Sequence, residues 1–543
     1  MLQPTPVYLR QQDSLYPSRF QPSAPSSSSI SPASMPSNGA LPYELHSYLV
    51  IGGGTGCNAV ASAFQGRKTT FVVPVSDDGG SSSEIQRVLG GPALGDIRSR
   101  LTRLIPSSPA NPSLNAIRRL MEYRLPGGAG VSGREVKAEW AEIVEGSHRL
   151  WRGIPGDRKE TIRAFLVHFQ SAVLKKAQRG FNFKRASIGN LFLSGASLFL
   201  GSVPSAIFLF ASLTSISLDS LNVLPVINTS SSVTIAAELE DGRIIAGQSE
   251  ISHPSSSTLF AASQAAGNAE VGHVNGAAVG MALHPSSASS VGGYFPLTRA
   301  TTPSFPDPPV LGAEEDDDLS LSLSPASPDP STVLGTPNPN GGGNLEFSKD
   351  AAEVPPLESR IRRVFYLNAY GTEIYPRPNG LVLEGLREAS CLIYAPGSLY
   401  TSILPCLELR PVGRLIASSS SPFSPSSSSS FPSSAARPPP LQYKVLLLNS
   451  VHDRETPDYT AADFVSAIRE ACERSSEEGE GAVEARAIIT HVVYLRGGEV
   501  RVDEEALRTL GIVPVPCGPT QSGLFDDEVV REALGRIFSG EAR

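Results

Sequence analysis

The chain has 543 residues and a formal net charge of −8. That acidic balance argues against a nucleic-acid phosphate backbone as ligand, because such binders carry a basic footprint. The five cysteines (Cys57, Cys391, Cys406, Cys472 and Cys517) are scattered and form no C-x-x-C pair. A disulfide framework or a cysteine zinc site is therefore not expected, and a reducing, cytoplasmic setting is.

Residues 1–43 are dominated by Ser, Pro and Gln and lack the apolar stretch of a secretory signal. Residues 252–356 are rich in Ser, Pro, Gly and Ala, with an acidic run from Glu314 to Asp318. Residues 417–440 hold two serine runs and end in three prolines. Such segments bury too little apolar surface to offset the entropy of ordering the chain, so all three are expected to be disordered. They also suit phosphorylation and docking of protein partners. Roughly 370 residues remain to form a packed core.

The first ordered element is the apolar run at 47–51, read as a buried strand ending in Gly52-Gly53-Gly54-Thr55-Gly56. A small-residue helix over 57–65 and a strand over 69–75 complete one βαβ unit. Gly54 to Ala59 follow the G-x-G-x-x-G/A pattern at a helix start. Glycines admit a phosphate close to the backbone, and a helix start has free N–H groups to hold it. Asp77 lies 21 positions beyond Gly56, where a dinucleotide fold places a ribose-binding carboxylate. Asp77 and Asp78 together could hold a hydroxyl, a ribose or Mg²⁺. Only one of them can face a given ligand, because neighbouring side chains in extended backbone diverge. Ser81 and Glu84 have capping-box spacing and predict a helix start. Gly95-Asp96-Ile97-Arg98 opens a further helix, with Asp96 as its cap and Arg98 as a phosphate clamp.

Residues 107–180 read as helical in their second half. Ser187-Ile188-Gly189-Asn190 precedes an uncharged run over 191–213 that is long enough to span a bilayer. Pro204 interrupts the run and no basic cluster follows it. A buried helix broken near Pro204 is expected, and no membrane span. Residues 233–239 and 243–247 flank Glu240-Asp241-Gly242 and predict a β-hairpin. Later strands are read at 391–395, 443–449 and 487–495, with a helix at 460–473. Strands alternating with helices predict an α/β fold with a mainly parallel sheet. Gly397, Ser398 and Thr401 follow one strand and Asn449 ends another, so both would reach the same carboxyl edge. The histidines form no metal pattern, and neither a nucleophile elbow nor a Walker A sequence is present.

Seven segments in order resemble the CofD/YvcK (UPF0052) family: VIGGGTG at 50–56, VSDDGGSS at 75–82, GDIRSRL at 95–101, SIGNLFL at 187–193, VTIAAELEDGRIIAGQSEI at 233–251, IYAPGSLYTSILPCL at 393–407 and LLLNSVHDRETPDYTAADFVSAI at 446–468. The resemblance implies a Rossmann-like three-layer domain in two parts, 44–251 and 357–543, with 252–356 and 417–440 as insertions. It implies one of two functions. CofD-type members transfer a 2-phospho-L-lactyl group from a nucleoside diphosphate donor to the deazaflavin alcohol Fo, with Mg²⁺. YvcK-type members bind nucleotide sugars and act in regulating carbon metabolism. By motif, Gly52, Gly53, Gly54, Thr55, Gly56, Gly397, Ser398 and Thr401 would hold phosphate or ribose. Asp77, Asp78, Asp96 and Arg98 would form the reactive set, with Asp77 on the metal. Asn190 and Asn449 would complete the crevice. A homodimer is implied by the resemblance alone. The glycine fingerprint taken by itself would also suit NAD(P)-dependent redox chemistry. The sequence departs from bacterial members at Arg185-Ala186, where those usually carry Gly-His.

Overall fold

A computed structural model describes residues 46–106, 111–128, 130–176, 179–218, 220–252, 355–368, 370–418, 441–476 and 482–542. The tail at 1–43 and nearly all of the 252–356 and 417–440 segments lie outside these residues. Seven strands form one sheet in the order β11-β10-β9-β8-β1-β2-β3. They are β1 (Tyr48–Ile51), β2 (Thr69–Val73), β3 (Leu221–Pro225), β8 (Cys391–Tyr394), β9 (Tyr443–Leu447), β10 (His491–Leu495) and β11 (Val513–Cys517). Every pairing in it is parallel. Helices cover both faces, so β1 is apolar and buried along its whole length rather than alternating. The fold is the expected Rossmann-like α/β architecture.

A second, antiparallel sheet has the order β5-β4-β6-β7. It is built from β4 (Thr234–Leu239), β5 (Ile244–Ala246), β6 (Ile361–Leu367) and β7 (Glu373–Ile374). β4 and β5 are the expected hairpin. β6 pairs with β4 and so joins the two sides of the 253–354 gap.

The strand order places the site. From β1 the sheet grows one way through β2 and β3, and the other way through β8 to β11. The turns after β1 and β8 therefore lie side by side where the order reverses, the place at which open α/β sheets form a crevice.

Several local expectations change. The first helix spans only Gly54–Ala59, followed by a 3₁₀ turn over Ala61–Phe64. The Ser81/Glu84 capping box does not form. The helix Gly80–Leu89 has Gly79 as N-cap with no side-chain cap. Glu84 is instead held by Arg87 and by the Asn182 N–H. In the 487–495 segment, Ala485–Ile488 is helical and only His491–Leu495 is strand. The apolar run at 191–213 breaks as expected into Ile188–Leu200 and Val203–Thr214. Its outer face is not buried, since Phe199 is 64% and Phe208 63% exposed. No helix among the described residues is long and apolar enough to cross a membrane. The five cysteines are all buried and unpaired.

Candidate functional site

The turn after β1 leads into a helix of six residues, too short for a strong macrodipole. Its N–H groups are what it can offer. One is already engaged, because the Gly54 N–H donates to the Asp96 carboxylate. Asp96 therefore does not cap its own helix, Gly95–Leu104, whose N-cap Leu94 makes no side-chain cap bond. It reaches across to the turn instead. Gly53 permits this, since a Cβ there would collide with Asp96 Oδ2. Gly54 sits at φ +66, a left-handed conformation that favours glycine.

Asp77 and Asp78 leave β2 in opposite directions. Asp77 Oδ1 accepts from the Gly79 N–H at 2.9 Å. Its other oxygen lies over Gly95, where a Cβ would come within 2.5 Å of it. Asp78 Oδ1 accepts from the Ser249 N–H at 2.7 Å, which ties the turn to the segment following β5. Asp77 and Asp96 thus share one pocket and Asp78 braces its rim.

The electrostatics follow from that proximity. Burial first, and the Asp96 charge second, push the Asp77 carboxyl up to about 7. Burial also raises Asp96, against the pull of the Gly54 N–H and of Arg100 and Arg98. Burial lowers Arg98 to about 10, with help from Arg124, so it stays cationic at neutral pH. Arg98 Nε donates to Asn190 Oδ1 at 3.2 Å, and Asn190 Nδ2 donates to Ser81 Oγ at 2.9 Å. Asn190 therefore aims the guanidinium. Arg100, buried over the Phe71 ring, donates to the Cys57 carbonyl at 2.8 Å. Asp96 Oδ2 has no hydrogen-bond partner, and neither do the buried Ser76 and Ser187 hydroxyls.

The turn after β8 forms the facing wall. A Cβ on Gly56 would lie 2.6 Å from the Pro396 carbonyl, so the two turns touch backbone to backbone. Gly397 and Asn449 bond reciprocally. The Gly397 N–H donates to Asn449 Oδ1 at 3.0 Å, and Asn449 Nδ2 donates to the Gly397 carbonyl at 2.8 Å. Ser398 and Thr401 turn to Glu455, a residue that the sequence reading missed. Glu455 is 1% exposed. It accepts from Thr401 Oγ1 at 2.9 Å, Ser252 Oγ at 2.5 Å and the Tyr400 N–H at 3.0 Å. The Ser398 hydroxyl also bonds to it. Burial, followed by the Asp453 charge, raises its carboxyl to about 7.

The crevice thus gathers Gly52 to Gly56, Asp77, Asp96, Arg98 and Asn190 on one wall. Gly397 and Asn449 stand on the other, with Ser398 and Thr401 committed to Glu455. Arg124 was also missed, although its charge acts on both Asp77 and Arg98. Its signal was weak, a lone arginine just past the helix Pro112–Glu122. Among the described residues, no group of three or more His, Cys, Asp or Glu is arranged to hold a metal.

The family model described as 2-phospho-L-lactate transferase CofD matches residues 49–424. The chain belongs to the CofD family. It is 32% identical over 473 residues to an uncharacterized protein of Saccharomyces cerevisiae, YNL011C, covering 84% of this chain and 91% of that one. A shorter match, 32% identical over 96 residues, is to a putative gluconeogenesis factor of Vibrio cholerae. It covers 17% of this chain and 30% of that protein. Among solved structures, protein BH3568 from Bacillus halodurans aligns with a TM-score of 0.48 at 19% identity, covering 90% of this chain and 99% of that one. A second structure of that protein is described as a member of the UPF0052 family.

Proposed function

We propose that the chain is a transferase. It moves a phosphate-linked group of the 2-phospho-L-lactyl type from a nucleoside diphosphate donor to a hydroxyl on a small, Fo-like acceptor. The observation that carries this is Asp77, a part-buried carboxyl whose Oδ2 lies over Gly95 and which desolvation and the Asp96 charge raise to about 7 within the field of Arg124. A carboxylate with that affinity for protons is suited to take one from a hydroxyl at neutral pH. The acceptor oxygen then bonds to the phosphorus that carries the lactyl group. The bond from that phosphorus to the bridging oxygen breaks, and nucleoside monophosphate leaves. Arg98, aimed by Asn190, and Arg124 offset the charge that builds on the phosphoryl oxygens. The Gly52–Gly56 turn and Gly397 hold the diphosphate against the backbone. Ser398 and Thr401 support that wall through Glu455.

The residues present fit a Mg²⁺ that arrives with the donor's phosphates. Such an ion takes one or two protein carboxylates and fills its other positions with phosphate and water. The unpartnered Asp96 Oδ2 is the protein carboxylate that would hold it, which leaves Asp77 to take the proton. When bound, the ion would neutralise charge on the transferring group.

The test is release of nucleoside monophosphate by the purified full chain, given Fo and a nucleoside diphosphate esterified to lactate on its β-phosphate. Release that requires the acceptor, rises in rate through pH 7 and is lost in Asp77→Asn is expected. A protein that binds nucleotide yet converts no donor–acceptor pair would overturn the reading.

A second reading, a nucleotide-sugar-binding regulator of carbon metabolism, draws on the short matches to proteins named gluconeogenesis factor. A thermal-shift screen separates the two. Stabilisation by a nucleotide sugar without turnover favours the regulator, and stabilisation by a deazaflavin favours the transferase.

A further inference from the structure

A cavity of about 590 Å³ lies outside the crevice, between the antiparallel sheet and the segment that follows the helix Leu404–Leu407. None of its lining residues belongs to the site described above. Its size falls within the range of small-molecule sites, roughly 300–1,000 Å³. Four arginines and two glutamates line it. Two of the arginines are spent on the glutamates. Arg363 pairs with Glu373 at 2.8 Å, and Arg474 pairs with Glu408 at 2.7 Å. Arg377 and Arg410 are left over. Neither forms an ion pair with any described residue, and both are exposed at the rim.

The remaining chemistry is planar and apolar. Tyr375 is 74% exposed, and the Arg410 guanidinium stands 5.9 Å from its ring centroid. Ile374, Leu383 and Leu409 supply an apolar surface. Pro376, Pro378 and Pro411 restrict the backbone at the rim. Two uncompensated guanidiniums recognise a phosphate by forked hydrogen bonds, and an open aromatic face stacks a flat ring.

We propose that this cavity is a second ligand site, which binds an organic phosphate bearing a planar ring, of mononucleotide size. It is independent of the transfer chemistry assigned to the crevice.

Isothermal titration of the full chain with AMP, adenosine and inorganic phosphate tests it. The proteins compared are wild type, the double variant Arg377→Ala/Arg410→Ala, Tyr375→Ala and the crevice variant Arg98→Ala. All four substitutions lie at exposed or part-exposed positions, and circular dichroism checks that each variant folds. AMP is expected to bind at least tenfold more tightly than adenosine or phosphate. Its affinity should fall at least tenfold in the double variant and several-fold in Tyr375→Ala, and should persist in Arg98→Ala. AMP binding that disappears in Arg98→Ala and is untouched in the double variant would overturn the proposal, since AMP would then occupy only the crevice. Adenosine or phosphate binding as tightly as AMP would overturn it too, as would no AMP binding to wild type. A wild-type chain that shows the cavity binding yet converts no donor–acceptor pair would sink the crevice reading alone.

Discussion

The two walls of the crevice use their polar groups in opposite ways. On the β1–β2 side, polar atoms are left without protein partners, among them Asp96 Oδ2 and the Ser76 and Ser187 hydroxyls. On the β8–β9 side the polar groups bond to each other, with Gly397 and Asn449 closed as a pair and Glu455 accepting from two hydroxyls, one N–H and Ser398. An unsatisfied buried group costs free energy until water or a ligand meets it, whereas a satisfied one rigidifies its surroundings. The first wall therefore keeps polar capacity that a ligand could meet, and the second holds its shape by internal bonds.

The sharpest test of the first wall is the charge of Asp77. Its carboxyl titrates near 7 in the folded chain against an ordinary 3.8. Below pH 4 it is protonated whether the chain is folded or not, and it costs nothing. Between about pH 4 and 7 the unfolded chain ionises while the folded one keeps its proton, so stability from this group falls as pH rises. Above 7 the full cost is present. Asp77→Asn should thus be more stable than wild type at pH 8, by roughly 2–3 kcal/mol after solvent screening of this part-exposed carboxyl. The gain should vanish by pH 4, while turnover is lost. Urea midpoints at pH 4, 6 and 8 measure it, and equal midpoints at pH 8 would show that the charge is not strained.

On the holding wall the Glu455 carboxyl matters as an acceptor, although burial raises it as well. Glu455→Ala removes the acceptor of the Tyr400 N–H and of the Thr401 and Ser252 hydroxyls. A loss of roughly 3 kcal/mol is expected in urea denaturation at pH 7. A loss below 1 kcal/mol would mean that this wall relaxes freely.

Gly53 tests the contact on which the β1–β2 wall depends. A methyl group there displaces Asp96, and Gly53→Ala should cost about 2 kcal/mol. Because the worst collision is with Asp96 and only a tight contact with Pro74 remains, Asp96→Ala should recover much of the cost in the double variant. A double-mutant cycle with no coupling would refute that geometry.

The β1–β2 wall was the more legible of the two in the sequence. An apolar run, glycines, a second apolar run and two aspartates are close neighbours in the chain, so periodicity and turn chemistry placed them. What stayed hidden was long-range. The bond from Gly54 to Asp96 crosses the β2 strand, and nothing near Asp96 distinguishes it from a helix cap. Glu84 looked like half of a capping box, but its partner is the N–H of Asn182, 98 positions away. Glu455 sits in a polar stretch, His452 to Thr456, that reads as a surface loop. Only packing against the β8 turn shows it to be buried. The uncharged run at 191–213 misled in a different manner. Its apolarity predicted burial, yet Phe199 and Phe208 face outward, because hydrophobicity alone does not say which side of a helix meets the core.

Asn449 gives the smallest expected effect and the finest test of how the holding wall works. Its amide makes two bonds with Gly397, one accepting and one donating. Asn449→Ala should cost about 1–2 kcal/mol, the net worth of two hydrogen bonds. Asn449→Asp is nearly the same shape and still accepts from the Gly397 N–H. Its second oxygen, however, would face the Gly397 carbonyl with no proton between them. If the wall holds by bonding, the aspartate should be at least as damaging as alanine at pH 8 and should improve as it is protonated near pH 4. If Asn449 merely fills space, the aspartate should be harmless at either pH. Hydrogen exchange of the Gly397 amide reads the answer locally, since that N–H should open faster in the alanine variant while the amides of β1 stay protected.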